Sequence, residues 1–300
     1  MEQHRAIFDA EVTFANGGGL QCQDFRLDIV GDSISNEDLA TLFLQHLGLL
    51  LTESVRITRK SVIAEPHKGS RGVPRSRPEV GELVELSHPI RDGMVTYPGL
   101  PGPEIRDHLT FEESRSHYAP GTEFHIGRIS MVANTGTYVD TPAHRYAGAP
   151  DLSDVGLDHL ANLAGVVVQV PTGRRAVDRW LLAPYHVRGM AVLIRTGWDE
   201  HWGTPAYGSG EHPFVTLDGA AHLAEAGAAL VGIDSMNIDD TDDGMRPAHT
   251  TLLAQGIPVV EHLCGLDRLP PDGFRFHAVP PMIRGLATFP VRAYAVLGNA

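Results

Sequence analysis

The sequence predicts a mixed α/β protein in two parts, a small α+β unit followed by a larger α/β domain. Three observations carry this expectation. Apolar runs of strand length alternate with short helical patterns along the 300 residues. The 32 glycines and 21 prolines follow no fixed period, which excludes collagen and coiled coil and marks a loop-rich chain. Between residues 69 and 78, Gly, Ser, Pro and Arg replace any apolar period. The expected domains are therefore 1–72 and 82–300, with a linker at about 69–81.

In the first unit, residues 6–14 alternate apolar and polar as a strand does, the run from Asn16 to Gly19 signals a turn, and 20–29 resumes the alternation as a hairpin partner. Ser35 and Asp38 then bracket a capping box, followed by Leu39, Leu42, Phe43, Leu47 and Leu50 at helical spacing. Residues 54–63 are expected to close the unit as a strand pair. His4, His46 and His67 are scattered and form no catalytic constellation, so this unit is expected to be an appended scaffold, partner-binding or lid domain. In the larger domain, 82–86, 166–170, 191–195, 229–234, 258–261 and 292–296 read as strands. Residues 217–226 and 250–255 read as helices ending at Gly227 and Gly256.

Composition narrows the function. A formal charge of −13 disfavours nucleic acid and anionic membranes, whose phosphates would be repelled, and favours a small-molecule substrate. Apolar runs are too short for a membrane-spanning helix, and the acidic, Arg-containing start is unlike a signal peptide. Two cysteines, Cys22 and Cys264, cannot build a disulfide framework, which points to the cytoplasm.

The chemistry concentrates in residues 134–144, where Asn134, Tyr138, Asp140 and His144 are closely spaced. Tyr138 and Asp140 share one face if the backbone is extended, and Pro142 ends that geometry so that His144 can fold back. The spacing is equally that of a capped turn in which Asp140 bonds nearby amides. Asp234 and Glu261 stand at the C-terminal ends of apolar strands, where open α/β sheets place ligands, and His249 lies just before a helix. The acidic run from Asp239 to Gly244 fails the EF-hand template, because its third position is Thr241 and its twelfth Thr250, and it reads as a solvated loop. Nucleophile-elbow, P-loop, dinucleotide and HExxH motifs are absent.

These stretches, with Leu86 to Ile90, Tyr97 to Gly99, Leu193 to Trp198 and Pro290 to Ala293, resemble the cyclase family that includes bacterial kynurenine formamidase, isatin hydrolase and some polyketide cyclases. The resemblance covers about residues 82–297. It implies a swivelling β/β/α fold, a homo-oligomer and metal-assisted hydrolysis of an amide. The family signature HxGTHxDxPxH places Asn134 and Tyr138 where two ligand histidines belong and retains Asp140 and His144; a later family pair matches His249 and Glu261. An Asn amide is a weak donor and a Tyr phenol must lose a proton to bind a metal well, so the position served by the leading histidines is expected to be empty.

The retained set implies one Zn or Mn site at Asp140, His144, His249 and Glu261. A metal-free cluster stays open, with His144 as general base, Asp140 or Glu261 orienting it, and Tyr138 donating to a developing oxyanion. Tyr97, Trp198 and Arg195, in the motif segments, are candidate substrate contacts together with Asn134. The expected function is an enzyme acting at an amide, lactam or related carbonyl, by hydrolysis or the related ring closure. The alternatives are a metal-independent cyclase, dehydratase or lyase of secondary metabolism, and an inactive binding or scaffold homologue.

Overall fold

The computed structural model describes residues 4–47, 49, 52–65 and 81–298. The chain divides into two compact units, Met1–Arg77 and Pro78–Ala300. The expected linker lies almost entirely outside the described residues, as do His67 and Leu50.

In the first unit, strands β1 (His4–Phe14) and β2 (Gly19–Ile29) form an antiparallel hairpin whose turn includes Gly17 at φ 80°. Helix α1 (Asn36–Leu47) starts where Ser35 Oγ accepts the Asp38 amide at 3.0 Å, one half of a capping box. The expected strand pair at 54–63 is instead one strand, β3 (Thr52–Ala64), because it pairs with β1 along nearly its whole length, in the order β2-β1-β3. Alternate β1 residues Ala6, Phe8, Ala10 and Val12 are buried, and Phe8, Phe25 and Phe43 pack as tilted and edge-on rings. Leu47, expected on the apolar face of α1, is exposed at the end of the helix.

The second unit contains β4 (Glu82–Glu85), β5 (Glu104–Leu109), α2 (Phe111–Ser114), β6 (Ile126–Ser130), β7 (Tyr138–Asp140), β8 (Leu163–Gln169) and β9 (Ala176–Val177). These are followed by α3 (Arg179–Leu182), β10 (Met190–Arg195), β11 (Phe214–Val215), α4 (Leu217–Ala226) and β12 (Leu230–Ile233). The remainder is α5 (Pro247–Ala254), β13 (Val259–Glu261), β14 (Asp272–His277), β15 (Thr288–Pro290) and β16 (Tyr294–Leu297). Nine strands form one sheet in the order β15-β7-β13-β12-β10-β8-β14-β16-β4. Its centre, β13-β12-β10-β8, is parallel, and both flanks are antiparallel.

The central strands are continuous apolar runs because both faces of the sheet are covered. Val168, Ile194 and Ile233 pack with Ala220 and Leu223 of α4 and Leu252 and Leu253 of α5. Val167, Leu193 and Val260 face Phe274, Phe276 and Leu263 on the other side. Each such side chain, fully buried, contributes about 1.5–3 kcal/mol. A Cβ on Gly165 would run into the Phe274 ring of the adjacent strand, so a glycine is needed there. Helix α4 has the expected bounds, with Thr216 capping its start and Gly227 at φ 80° ending it. Helix α5 begins three residues before the expected position 250, at Pro247, because its first amides are capped by a carboxylate from well upstream, Asp239.

Candidate active site

Strand β7 lies between β13 and β15. Glu261 is paired with Tyr138 and Tyr138 with Pro290; one step along, Asp140 lies between Val259 and Thr288. Pleating puts Tyr138 and Asp140 on one face and Val139 in the core. Pro142 then opens a short 3-10 turn, Pro142–His144, that returns His144 toward Asp140. Helix α5 delivers His249 from the other side.

One ligand atom each of Asp140, His144 and His249 lie within 4.8 Å of one another. His249 Nε2 is 3.4 Å from Asp140 Oδ2, and its Nδ1 is 2.6 Å from Asp239 Oδ2. Thr288 Oγ1 donates to Asp140 Oδ1 and lies 2.9 Å from His144 Nδ1. Because the hydroxyl's one proton goes to the carboxylate, it accepts from His144 Nδ1–H, which leaves His144 Nε2 as the nitrogen with a free lone pair. Asp140 is fully buried, His249 nearly so, and His144 accessible.

Glu261 stands beside this trio. Its Oε2 accepts the Tyr138 hydroxyl at 2.7 Å, its Oε1 accepts the Ile238 amide at 2.6 Å, and Oε1 is 3.6 Å from His249 Nε2. Expected among the ligands, Glu261 falls outside the three-residue group, standing beside it with Oε1 3.6 Å from His249 Nε2. The hydrogen-bond chain continues outward: Tyr207 OH lies 2.8 Å from His262 Nδ1, and His262 Nε2 lies 3.3 Å from Tyr138 Oη.

Burial works against a charged His249, yet Glu261, Asp140 and Asp239 outweigh it and raise the imidazole to about 10. Burial and the neighbouring Asp140 charge push Glu261 to about 7, against the pull of His249. Asp140 is also pushed up by burial, but its bond to His249 and the nearby His144 bring it below the usual carboxylate range. Burial, with Glu261 and Asp140 close by, holds the Tyr138 phenol well above 10, so Tyr138 is a neutral donor and a poor metal ligand.

A cavity of about 450 Å³ opens over the site, lined by Tyr97, Asn134, Tyr138, His144, His249 and Glu261 together with Arg145, Asn237 and Arg246. Two expected substrate contacts do not reach it. Arg195, the last residue of β10, is paired with Gln169 of β8 and bonds its side chain at 2.8 Å. Trp198 follows Gly197 into a 3-10 turn, and its indole donates to Tyr207 O at 3.0 Å. Asp234, at the end of β12, is consumed by the Thr196 and Gly197 amides, and burial raises it to about 6.

The acidic run is not a uniformly solvated loop. Asp239 is fully buried and takes the Ala248 and His249 amides as well as the imidazole. Its signal in the sequence was a Pro at a helix start, Pro247, with no local capping residue. Nothing local marked Thr288, Arg145 or Arg246.

The donor set fits a divalent cation. One carboxylate and two imidazoles, with one side open to a cavity, have the count of an open metal site, and Asp239 behind His249 is the outer carboxylate that fixes a ligand imidazole. Three buried carboxylates around one imidazole also favour added positive charge.

The Cyclase family model matches residues 84–240. The kynurenine formamidase of Bacillus cereus is 24% identical over 221 residues, spanning 72% of this chain and 97% of that protein; that of Bacillus mycoides gives the same figures. Isatin hydrolase A from Labrenzia aggregata superposes with a TM-score of 0.62 at 19% identity, covering 72% of this chain and 93% of that one. A structure described as a potential metal-dependent hydrolase with cyclase activity gives 0.60 at 23%, covering 73% and 99%. These likenesses establish the shared fold. Since the family model spans just over half of the 300 residues, this chain belongs to the cyclase family.

Proposed function

We propose that this protein hydrolyses an amide, lactam or related carbonyl with the help of one divalent ion, Zn or Mn, held by Asp140, His144 and His249. The observation that carries the reading is the convergence of these three donors beneath an open cavity, with His249 locked from behind by Asp239. Relatives named as a formamidase and as isatin hydrolase support the reaction class.

An ion held there would supply positive charge to polarise the carbonyl and acidify water. The chain's own groups do the rest. Thr288 holds Asp140 and His144 in register, and Asp239 keeps His249 Nε2 turned toward Asp140. Glu261, beside His249 in the cavity wall, takes the proton of the attacking water and returns it to the leaving nitrogen as the C–N bond breaks. Tyr138 orients Glu261 by its 2.7 Å hydrogen bond.

A second reading is favoured by one observation: Tyr138 keeps a neutral phenol in the cavity wall near the accessible His144. In that reading a metal-independent cyclase, dehydratase or lyase uses the two as acid and base. Metal analysis of the purified protein separates the readings. About one ion per chain, lost in His249→Ala together with formate release from N-formyl anilides or opening of isatin-like lactams, is expected. Turnover that survives complete chelation and falls sharply in Tyr138→Phe would overturn the metal reading in favour of the second. No turnover of any compound by the metal-loaded protein would leave a binding homologue.

A further inference from the structure

We propose that the cavity over Asp140, His144 and His249 selects substrates that carry a carboxylate, gripped by the guanidinium groups of Arg145 and Arg246. The inference rests on the amide-hydrolase reading for the reacting group and adds the charged group beside it.

Both arginines line the cavity. In a chain of net charge −13, some arginines of this unit sit on carboxylates, as Arg174 does on Asp178 and Arg292 on Glu85, and others on neutral oxygens, as Arg195 does on Gln169 and Arg275 on Asn162. Arg145 and Arg246 form no ion pair among the described residues. Each is instead steadied by neutral partners. Arg145 Nε donates to Thr250 Oγ1 at 3.1 Å, and its guanidinium lies 5.5 Å from the centre of the Tyr146 ring. Arg246 Nη1 lies 3.5 Å from Asn237 Oδ1, and its positive charge acts on the Tyr97 hydroxyl. A guanidinium has five N–H donors in a planar fork, so each retains donors for a ligand, and that fork matches a carboxylate.

The backbone adds an independent observation. Arg246 has φ 49° and ψ 58°, a left-handed conformation unfavourable for a residue with a side chain, and it occupies the N-cap of α5 without capping it. Capping is done by Asp239, whose oxygens take the Ala248 and His249 amides. The helix start is therefore already satisfied by an anion, and the uncommitted positive charge at the cavity belongs to the arginines. Simple neutralisation of the buried acids does not account for them. Asp140, Asp239 and Glu261 are already engaged by Thr288, His249, Tyr138 and backbone amides.

The test uses the full chain with its metal content measured. Anthranilate and methyl anthranilate, which have no amide to cleave, are titrated calorimetrically into wild type, Arg145→Gln, Arg246→Gln and the double variant, before and after chelation. Wild type is expected to bind the acid at least about tenfold more tightly than the ester, each single variant to lose most of that preference and the double variant all of it, with or without metal. Arg145→Lys and Arg246→Lys keep the charge but not the fork and are expected to retain part of the preference; thermal melts show which variants are folded. Equal binding of acid and ester by wild type, or a preference surviving in the folded double variant, overturns the proposal. A preference that vanishes on chelation alone assigns the carboxylate to the ion and overturns it too. N-formylanthranilate and its methyl ester probe the underlying reading: no formate from either, with the anthranilate preference intact, counts against amide hydrolysis and leaves the carboxylate site standing.

Discussion

Asp239 Oδ2 lies 2.6 Å from His249 Nδ1, and the same carboxylate caps the helix that carries the histidine. One side chain thus sets both where His249 is and which of its nitrogens faces Asp140. Asp239→Asn keeps the shape and removes the charge. Metal affinity is expected to fall about 10–100-fold, measured by competition with a chelating dye, and stability by about 1 kcal/mol from the weakened cap. Unchanged affinity would show that His249 needs no such support.

Thr288 gives a cleaner separation of structure from chemistry. Thr288→Val preserves volume but removes the hydroxyl that donates to Asp140 Oδ1 and accepts from His144 Nδ1–H, leaving Asp140 only its longer contacts to His249 and His144. A stability loss of about 1–3 kcal/mol is expected in urea titrations, along with a drop in kcat. Thr288→Ser restores the hydroxyl and should recover most of both. If serine rescues stability but not kcat, the hydroxyl has no part in holding His144.

Acid sensitivity can be read from buried and half-buried groups outside the proposed ligand set. Burial lowers His88 to about 4 and His262 to about 3, from 6.5. Below pH 6.5 the unfolded chain takes up protons that these folded imidazoles refuse, so stability present above pH 6.5 is lost as pH falls toward 4. Asp234, raised by burial from 3.8 to about 6, acts in the opposite sense, because between pH 6 and 3.8 the folded chain keeps a proton that the unfolded chain releases. Two groups oppose one, so these three together lower the urea midpoint between pH 6 and 4. Asp234→Asn should steepen that dependence and His88→Phe should flatten it. A slope unmoved by either change would mean that other groups control it.

Gly165→Ala tests packing across β8 and β14. Its Cβ would overlap the Phe274 ring, so a loss of about 1–3 kcal/mol is expected. Adding Phe274→Leu should return part of it, and the double-mutant cycle measures the coupling. Strictly additive losses would mean that the strain is relieved elsewhere.

Legibility in the sequence followed locality. Central strands such as β8 and β10 announced themselves because burial on both faces demands unbroken apolar runs. Asp140 and His144 were legible because Pro142 ends the strand between them. Thr288 was not, since it meets Asp140 across 148 residues through a pairing that only the assembled sheet creates. Asp239 hid within a run of acids because nothing in that run separates the one that turns inward. Arg195 and Trp198 misled for a related reason: a place near the end of a strand leaves open whether the side chain meets the substrate or, as with Gln169, a neighbouring strand.

Strand β7 is only three residues long, yet it is bonded on both sides, so Tyr138 and Asp140 are set by the sheet rather than by a loop. The cavity rim is built differently: Tyr97 comes from a loop, Arg145 from the end of a turn and Arg246 from a helix cap. On the function proposed here, reactivity and selectivity reside in mechanically separate parts of the protein. A lineage can exchange what it admits by altering two or three rim side chains while inheriting the floor intact, and an engineer seeking a new substrate should begin at positions 97, 145 and 246.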